Sequence, residues 1–218
     1  MNFLKIKMQF LDKYQSLNHN KRKKNSYIKY IIVHYTAMNS YKEAINFLLD
    51  PKNKVSSHYI INKKGLIYNL VKDQHRAWHA GISCWKKYKD LNSYSLGIEL
   101  DNSGPLLRNE VFSNKQIENL IKLIKFLQKK YNIENQNILG HSDVSPYRKI
   151  DPGKKFPWNK LYKKDIGYLP VKVKFSKKDQ YFAEADANLT FKEKRDKTIC
   201  MLKLIGYDVS LAQRNGNN

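Results

Sequence analysis

Residues Gly140 to Gly153 read G-H-S-D-V-S-P-Y-R-K-I-D-P-G, and the rest of the chain can be interpreted outward from them. The strand-like run at residues 137–139 predicts that His141 is delivered to a loop by a short strand. Ten residues later the loop carries Asp151, two positions after Lys149. Because the following proline biases Asp151 to an extended backbone, both side chains are expected on one side. The loop therefore combines a neutral metal ligand, an anionic ligand and a cation.

Composition allows one medium-sized domain with a buried core, since 41% of the 218 residues are hydrophobic. The formal net charge of +22 suits an anionic partner such as nucleic acid, an acidic membrane surface or a cell-wall polymer. A genomic bias toward lysine would produce the same charge without such a partner. Cys84 and Cys200 lie far apart and form no disulfide framework. No apolar run reaches membrane-spanning length, and residues 1–16 show no cleavable signal peptide.

Three stretches predict strands of a central sheet. Tyr27–Tyr35 is rich in β-branched and aromatic residues and predicts a buried central strand with His34 near its carboxyl end. Ser56–Leu70 predicts a β-hairpin. Ser95–Asp101 predicts another strand, in which Glu99 projects beside a glycine from the face opposite to the aliphatic residues. A carboxylate in such a place is either a salt-bridge partner or a general base.

Helical periodicity predicts scaffold elements. Tyr41–Leu49 has apolar residues at helical spacing. Ser113–Tyr131 is the clearest helix, with an apolar stripe for the sheet and a capping box formed by Ser113 with Gln116. Thr190–Tyr207 predicts a last helix that ends at Gly206. A single helix cannot bury its own apolar face, so this one is expected to dock on the main domain or to belong to an incomplete module.

A second histidine arrangement lies around R-A-W-H-A-G, Arg76 to Gly81. His75 and His79 are four residues apart and could share a helix face as metal ligands, although no glutamate lies between them as a base. A loop whose Trp78 and His79 line a groove is the favoured interpretation, and a packed tryptophan with a hydrogen-bonded histidine is the alternative. Residues 16–26 are polar and basic, and we expect a linker or a solvated edge there.

His34, His141 and Asp151 together form the set expected of a catalytic zinc site, with three protein ligands and a fourth position for water. Zinc lowers the pKa of such a water toward neutrality, so that Glu99 could accept its proton. Lys149 could stabilise the oxyanion of a tetrahedral intermediate. A structural zinc site is disfavoured because the chain lacks the cysteines for one. The combination predicts metal-assisted hydrolysis of an amide.

Five motifs follow one another within residues 27–162: V-H-Y-T-A (33–37), S-S-H-Y-I-I (56–61), A-W-H-A-G (77–81), L-N-S-Y-S-L-G-I-E-L (91–100) and the stretch at 140–153. In these motifs the chain resembles the zinc-dependent N-acetylmuramoyl-L-alanine amidases of the type 2 amidase family, in particular their AmiD/AmpD-like branch. The resemblance implies an α/β fold with a mixed central sheet flanked by helices, as in peptidoglycan recognition proteins. It implies one zinc ion per chain. The implied residues are His34, His141 and Asp151 as zinc ligands, Glu99 and Lys149 in catalysis, and His79 in the substrate groove.

The reaction that the resemblance implies is cleavage of the amide between N-acetylmuramic or anhydro-muramic acid and L-alanine, in peptidoglycan or muropeptides. We expect an N-terminal segment at 1–26, the amidase domain at 27–163, and a linker with a short, truncated helical extension at 164–218. Peptidoglycan or a muropeptide is the expected partner of a monomer, and no nucleic acid is required. The resemblance implies the cell envelope, and the lack of a visible signal peptide leaves the cytoplasm as the alternative.

Two other functions compete with the enzyme. A non-catalytic binder of the same fold would have lost metal ligands, whereas all five predicted site residues are present here. A basic protein associated with nucleic acid would bind DNA or RNA with a steep dependence on salt. The sequence shows no recognition module for that function beyond its charge.

Overall fold

A mixed five-stranded sheet forms the centre of the computed structural model, which describes residues 10–168 and 190–214. In chain order the strands are β1 His19–Lys21, β2 Tyr30–Tyr35, β3 Tyr59–Ile61, β4 Ile67–Asn69, β5 His75–Ala77, β6 Cys84–Trp85, β7 Tyr88–Lys89, β8 Ser95–Leu100 and β9 Ile138–Gly140. The central sheet has the order β4-β3-β8-β2-β9, and only the β3–β4 pair is antiparallel. Two small antiparallel sheets, β1–β5 and β6–β7, lie beside it.

Helices flank this sheet, as the predicted α/β class with a mixed central sheet requires, and further helices follow in the C-terminal extension. They are α1 Tyr41–Leu49, α2 Asn114–Tyr131, α3 His141–Val144, α4 Trp158–Tyr162, α5 Phe191–Ile205 and α6 Ser210–Arg214. No helix of the described ranges is both long and apolar enough to cross a membrane. The predicted fold class is thus confirmed.

The predicted central strand is β2, which begins three residues later than its sequence pattern suggests. Ile31 and Val33 pack into the core below α2, and Tyr30 and Ile32 pack into a second apolar cluster on the other face. All four side chains are fully buried. A strand that is buried on both faces reads as a continuous apolar run rather than as an alternating one, which is the pattern seen here.

The longest helix, α2, is scaffold. Its apolar stripe packs against the sheet, and Ser113 caps it by accepting a hydrogen bond from the Gln116 backbone at 3.1 Å. The predicted capping box is only half formed. The Gln116 side chain is fully buried and donates to the carbonyls of Ile61 and Asp101 instead. These two side-chain hydrogen bonds link α2 to the central sheet, whereas a hydrogen bond from Gln116 back to the helix N-terminus would not.

The predicted hairpin between residues 56 and 70 is formed by β3 and β4. Its turn requires Gly65, which has a φ of +83°. A Cβ at Gly65 would lie 2.5 Å from Nδ2 of Asn119 and 2.8 Å from the Lys115 carbonyl oxygen on α2. The hairpin can therefore pack closely on α2 only with glycine at this position.

The segment at residues 16–26 was expected to be solvated, and for part of it this prediction is wrong. His19–Lys21 forms β1, and Ser16 and Asn18 are buried. Arg22 is largely buried, and its guanidinium donates to four backbone carbonyls, those of Asp73, Asn92, Ser93 and Ser95. Because burial without partners would be costly for a cation, these bonds make Arg22 a fixed link between the loops behind β8.

The C-terminal extension docks through the residues after its long helix. Helix α5 contains no buried side chain, so of the two alternatives its own face does not dock on the main domain. Instead Gly206 accepts a hydrogen bond from the Lys86 backbone at 2.8 Å, Tyr207 packs edge-on against Trp85, and Val209 is buried. The linker predicted at the start of the 164–218 segment lies mostly outside the described residues.

Candidate metal centre

Sheet topology brings three of the predicted site residues together. In the parallel pair β2–β8, His34 lies opposite Glu99. In the parallel pair β2–β9, Val33 lies opposite Gly140, so His141 follows directly beside His34. The carboxyl ends of parallel strands share one edge of a sheet, and ligands commonly bind at such edges. Asp151 returns to the same edge, where its carbonyl accepts a hydrogen bond from the Ser142 backbone at 2.9 Å.

The side chains of His34, His141 and Asp151 converge on one point. Their ligand atoms all lie within 4.8 Å of one another, and all three residues are buried. The two Nδ1 atoms are 2.9 Å apart, and Oδ2 of Asp151 lies 3.0 Å from one and 3.1 Å from the other. The structure thus assembles a buried His-His-Asp group that could bind a metal ion.

The charge states of this group fit a divalent cation. Burial and the neighbouring His141 lower the pKa of His34 to about 4, so its imidazole is neutral near pH 7. Burial acts to raise the pKa of Asp151, but hydrogen bonds from His141 and His34 bring it well below its usual value. Nε2 of His141 lies 3.1 Å from the Ala80 carbonyl, which can only accept, so Nε2 carries a proton and Nδ1 is the atom that faces the other two side chains. Two imidazole nitrogens and one carboxylate oxygen match a zinc site of the catalytic type.

Glu99 occupies the position next to this group that the alternation of β8 predicts. Its side chain lines the cleft, and its Oε2 atom is buried without a hydrogen-bond partner among the described residues. Burial and the Asp151 carboxylate raise the pKa of Glu99 to about 8, while the Lys149 charge opposes the shift. No salt-bridge partner of Glu99 is seen in the described part of the chain, so the general-base interpretation is the better fit.

A cleft of about 460 Å³ opens above the centre. The three possible ligands, Glu99 and Lys149 all line it. One wall is apolar and includes Phe47 and Leu48 of α1 together with Val55 and Leu106. The Lys149 ammonium is near enough to act electrostatically on both His34 and Glu99. The cleft therefore has the size and mixed lining of a small-molecule or peptide site.

His79 reaches the floor of the cleft from behind His34 rather than from its rim. It is 6% exposed, and the His75–His79 pair does not form a metal site because His75 lies on β5 and stacks on His19. The Nδ1 atom of His79 is 3.0 Å from Nε2 of His34, and its Nε2 atom is 3.2 Å from Oγ of Ser95. The ring of His79 fills the space that Gly97 leaves beside Glu99. A Cβ at Gly97 would lie only 2.5 Å from the Cγ atom of His79.

Arg148 is a site residue that sequence reasoning missed. Its guanidinium donates to the Ala80 carbonyl at 2.9 Å and to the Ile82 carbonyl at 3.1 Å. Ala80 is the residue whose carbonyl also receives the His141 proton, so Arg148 fixes the loop against which His141 is oriented. The position directly before Lys149 was the only signal in the sequence, and an arginine in a basic chain is too common to stand out.

The sheet and the buried centre define an α/β protein with a candidate catalytic metal site. A family model described as N-acetylmuramoyl-L-alanine amidase matches residues 23–154, so this chain belongs to that family. It is 40% identical over 155 residues to the N-acetylmuramoyl-L-alanine amidase AmiD of Escherichia coli, an alignment that covers 66% of this chain and 55% of the relative. It is 32% identical over 164 residues to the 1,6-anhydro-N-acetylmuramyl-L-alanine amidase AmpD of Haemophilus influenzae, covering 67% of this chain and 87% of the relative.

Solved structures agree with this assignment. The complex of Escherichia coli AmiD with anhydro-N-acetylmuramic acid-L-Ala-D-gamma-Glu-L-Lys superposes with a TM-score of 0.68 at 32% identity, over 87% of this chain and 76% of the other. AmpDh3 of Pseudomonas aeruginosa in complex with an anhydromuramic pentapeptide gives a TM-score of 0.70 at 26% identity, over 95% and 81%. The sequence alignment spans little more than half of AmiD, while the structural match also includes part of the extension.

Proposed function

We propose that this chain is a zinc-dependent N-acetylmuramoyl-L-alanine amidase that hydrolyses the amide between the muramic acid lactyl group and L-alanine. The observation that carries the proposal is the buried convergence of His34, His141 and Asp151 next to the unpartnered carboxyl of Glu99, in a chain of the amidase family. A non-catalytic binder would not need a buried carboxyl without a partner, because such a group costs stability.

Three side chains would hold the metal: His34 and His141 through Nδ1, and Asp151 through Oδ2. Zinc bound there would supply a Lewis acid for the scissile carbonyl and would acidify a water molecule. The protein contributes a neutral imidazole at His34, a carboxylate kept ionised at Asp151, and burial that excludes bulk water. Each of these raises the affinity of the centre for a divalent cation.

Glu99 is assigned the proton transfers. A carboxyl group with a pKa of about 8 exchanges protons near neutral pH, where general acid–base catalysis is most efficient. Its free Oε2 atom can accept a proton from the attacking water and return it to the nitrogen of the leaving L-alanine. The same group thus serves as base in the first half of the reaction and as acid in the second.

Lys149 is assigned to the oxyanion. Lys149 lines the cleft. Its positive charge is one of the influences that lower the pKa of His34, and it opposes the burial that raises the pKa of Glu99. Its field therefore reaches the place where negative charge would develop. A preorganised cation in a partly dehydrated cleft stabilises such charge more than water does. His79 lies at the floor of this cleft, where it could contact a substrate only across its exposed ring edge.

The proposal is tested by mass spectrometry of the products formed from purified peptidoglycan and from anhydro-muropeptides. Release of intact stem peptides that begin with L-alanine is expected from at least one of the two, in proportion to bound zinc. The Asp151→Ala variant is the matched control for contaminating hydrolases. Stoichiometric zinc without any peptide release from either substrate, or release by zinc-free protein, would contradict the proposal.

The wider setting of the enzyme is proposed with it. We propose that residues 27–163 are the catalytic domain, that it acts as a monomer on peptidoglycan or muropeptides without nucleic acid, and that it works in the cell envelope. Fractionation of the native cells by compartment distinguishes the envelope from the cytoplasmic alternative. Light scattering of the purified protein measures the oligomeric state. Recovery with the cytoplasmic fraction would favour soluble anhydro-muropeptides as the substrates.

A further inference from the structure

A second groove, of about 1190 Å³, adjoins the metal cleft at Arg148. Arg148 lines both spaces, so the two meet at this side chain. The second groove is also lined by Trp78, by Ile82, which is 89% exposed, and by Tyr147, which is 48% exposed. Large apolar side chains that stay exposed around a groove commonly mark a binding surface. None of the five residues assigned to the chemistry lines this groove, so we expect it to hold a part of the substrate away from the scissile amide.

Trp78 directly follows β5, whose only sheet partner within the described ranges is β1. In the antiparallel register of this pair Asn20 lies opposite Arg76, and Trp78 comes two positions later, on the same face as Arg76. A diagonal neighbour of this kind is within reach of a long side chain. A two-stranded ribbon is at best marginally stable alone, so the place of Trp78 depends on the contacts that hold β1.

The indole of Trp78 finds its hydrogen-bond partner on β1. Nε1 of Trp78 donates to Oδ1 of Asn20 at 2.9 Å, and the Arg76 guanidinium donates to the same oxygen at 3.2 Å. Indole and guanidinium groups only donate, so the carboxamide must turn its oxygen toward them. Arg76 has a further anchor in Asp90 at 2.5 Å. Nε1 is the single polar atom of an indole, so its bond to Asn20 is the polar contact that fixes the direction of the ring.

The backbone of Trp78 is linked to Asn18, just before β1. The Trp78 N–H donates to Oγ of Ser56 at 2.9 Å, and the Trp78 carbonyl accepts from the Ser56 backbone at 3.1 Å. The Ser56 hydroxyl in turn donates to the carbonyl of Asn18. Ser56 and Asn18 are both buried, so water does not compete for these bonds. Trp78 is thus connected to Asn18 through its backbone and to Asn20 through its indole.

Asn18 also supports the apolar wall of the metal cleft. Its side-chain amide donates to the carbonyls of Asp50 and Val55 at 2.9 and 3.0 Å, and it lies 3.3 Å from the carbonyl of Leu48. Leu48 and Val55 line the metal cleft. Residues 16–22, which we call the N-terminal strap, therefore hold the walls of both spaces, although the family match begins only at residue 23.

We propose that the N-terminal strap is part of the substrate site, and that Asn20 is a positioning residue that holds the Trp78 indole in the wall of a substrate-binding groove. The inference rests on the proposed amidase function and extends its substrate site beyond residues 27–163. The occupant is the part of the muropeptide remote from the scissile amide, since the amide itself must lie at the metal centre. A wall that contacts this part binds substrate and transition state alike, so it acts on KM rather than on kcat.

The indole contact is measured by ¹⁵N NMR, because the three tryptophans give three Nε1–H signals and Trp78→Phe identifies one of them. Asn20→Ala is expected to shift the Trp78 signal and to speed its exchange with water. Asn20→Asp keeps an acceptor oxygen and should leave the exchange slow. An anhydro-muropeptide added to the Glu99→Gln protein, in which turnover is slowed, should shift the Trp78 signal. A Trp78 signal that does not respond to saturating ligand would overturn the inference.

Steady-state kinetics on the same anhydro-muropeptide measure the consequence. One neutral hydrogen bond is worth roughly 3–10-fold in an equilibrium, so Asn20→Ala should raise KM by about that factor, with kcat within about twofold of the parent. Asn20→Asp should keep the parental KM. Trp78→Ala should raise KM further, and adding Asn20→Ala to it should have no additional effect, because Asn20 acts through Trp78.

Asn114→Ala is the matched control. Asn114 is an exposed asparagine on α2 whose Oδ1 accepts one side-chain hydrogen bond, from Lys160 at 2.8 Å, and it lines neither the cleft nor the groove. Because Asn20 is likewise exposed, both alanine variants are expected to fold, and their melting temperatures check this. Parental KM is the expected result for Asn114→Ala.

Parental KM in Asn20→Ala would overturn the inference, as would KM effects of Asn20→Ala and Trp78→Ala that multiply in the double variant. A fall in kcat at unchanged KM would also overturn it, since that result would not come from a binding wall. If the parent cleaves neither peptidoglycan nor anhydro-muropeptides, the proposed function fails instead. The response of the Trp78 signal to ligand still tests the groove in that case, so the two failures are distinguishable.

Discussion

Replacing Glu99 by glutamine is predicted to change activity and stability in opposite directions. The substitution keeps the size of the side chain and leaves His34, His141 and Asp151 untouched, so zinc stoichiometry should not change. It removes the proton acceptor, and general acid–base catalysis is typically responsible for ~10²–10⁴-fold in rate. The kcat is therefore expected to fall by that factor, which corresponds to about 3–5 kcal/mol of activation free energy.

Stability should respond to pH because the carboxyl of Glu99 is buried. The folded protein holds its proton up to a pKa of about 8, whereas the unfolded chain releases it near the ordinary value of 4.5. Between these values the folded state binds more protons, so the free energy of unfolding falls as pH rises, by about 1.4 kcal/mol per unit at most. Glutamine cannot ionise. Metal-free Glu99→Gln should therefore gain up to about 4 kcal/mol over the parent between pH 5 and pH 8.

Urea unfolding of metal-free protein at pH 5, 6.5 and 8 measures this difference, and stem-peptide release measures the rate. Glu118→Gln is the matched control, because Glu118 lies exposed on α2 and loses the same charge. Parental turnover in Glu99→Gln would show that the base is another residue. A stability difference between Glu99→Gln and the parent that stays constant with pH would show that the Glu99 carboxyl is not destabilised by burial.

Three further substitutions address the centre and its support. Asp151→Ala removes one of three ligands and should lose zinc and activity together, as measured by elemental analysis and product release; normal zinc with full turnover would refute the ligand role. Lys149→Gln should keep zinc and KM but lower kcat by ~10²–10³-fold, the usual loss for one oxyanion partner; a change confined to KM would instead indicate substrate binding. Asp73→Asn should cost about 2–4 kcal/mol at pH 7, since one lysine and two tyrosines donate to this buried carboxylate. Although burial opposes the effect, these bonds hold the pKa of Asp73 below its usual value. Urea unfolding should therefore show the cost of the substitution vanishing as pH falls through that lowered pKa.

Sequence alone predicted the elements that follow strong periodicity. Strand β2, helix α2 and the β3–β4 hairpin lie close to where the apolar patterns place them. A strand buried on both faces has a continuous apolar run, a helix buried along one stripe has apolar residues three and four apart, and a strand buried on one face has alternating apolar residues. The site residues could be named because His34, Glu99 and His141 each stand at or near the carboxyl end of a predicted strand. Their mutual distances depend on strand order, which the spacing of apolar residues does not encode.

What the sequence could not predict depends on contacts between distant segments. Arg22 sits in a run of basic residues, and nothing in that run shows that it is buried against four carbonyls. Nothing in the motif around His79 shows that its ring packs over Gly97 and lies 3.2 Å from the Ser95 hydroxyl on β8. The spacing of Gln116 from Ser113 predicts a helix cap, yet its side chain donates to the carbonyls of Ile61 and Asp101 at the ends of two neighbouring strands.

The docked C-terminal residues are hydrogen-bonded, through Asp143, to the helix that carries His141. The Tyr207 hydroxyl donates to one oxygen of Asp143 at 2.6 Å, and the other oxygen accepts from the Gly140 backbone at 2.7 Å, at the start of the helix that carries His141. The Asp143 carboxylate thus links Tyr207, in the C-terminal residues, to the backbone of Gly140, directly before His141. The hydrogen bonds that support the ligand helix therefore extend past residue 154, where the family match ends. Positions 143 and 207 are expected to be exchanged in pairs rather than singly in proteins that keep this tail.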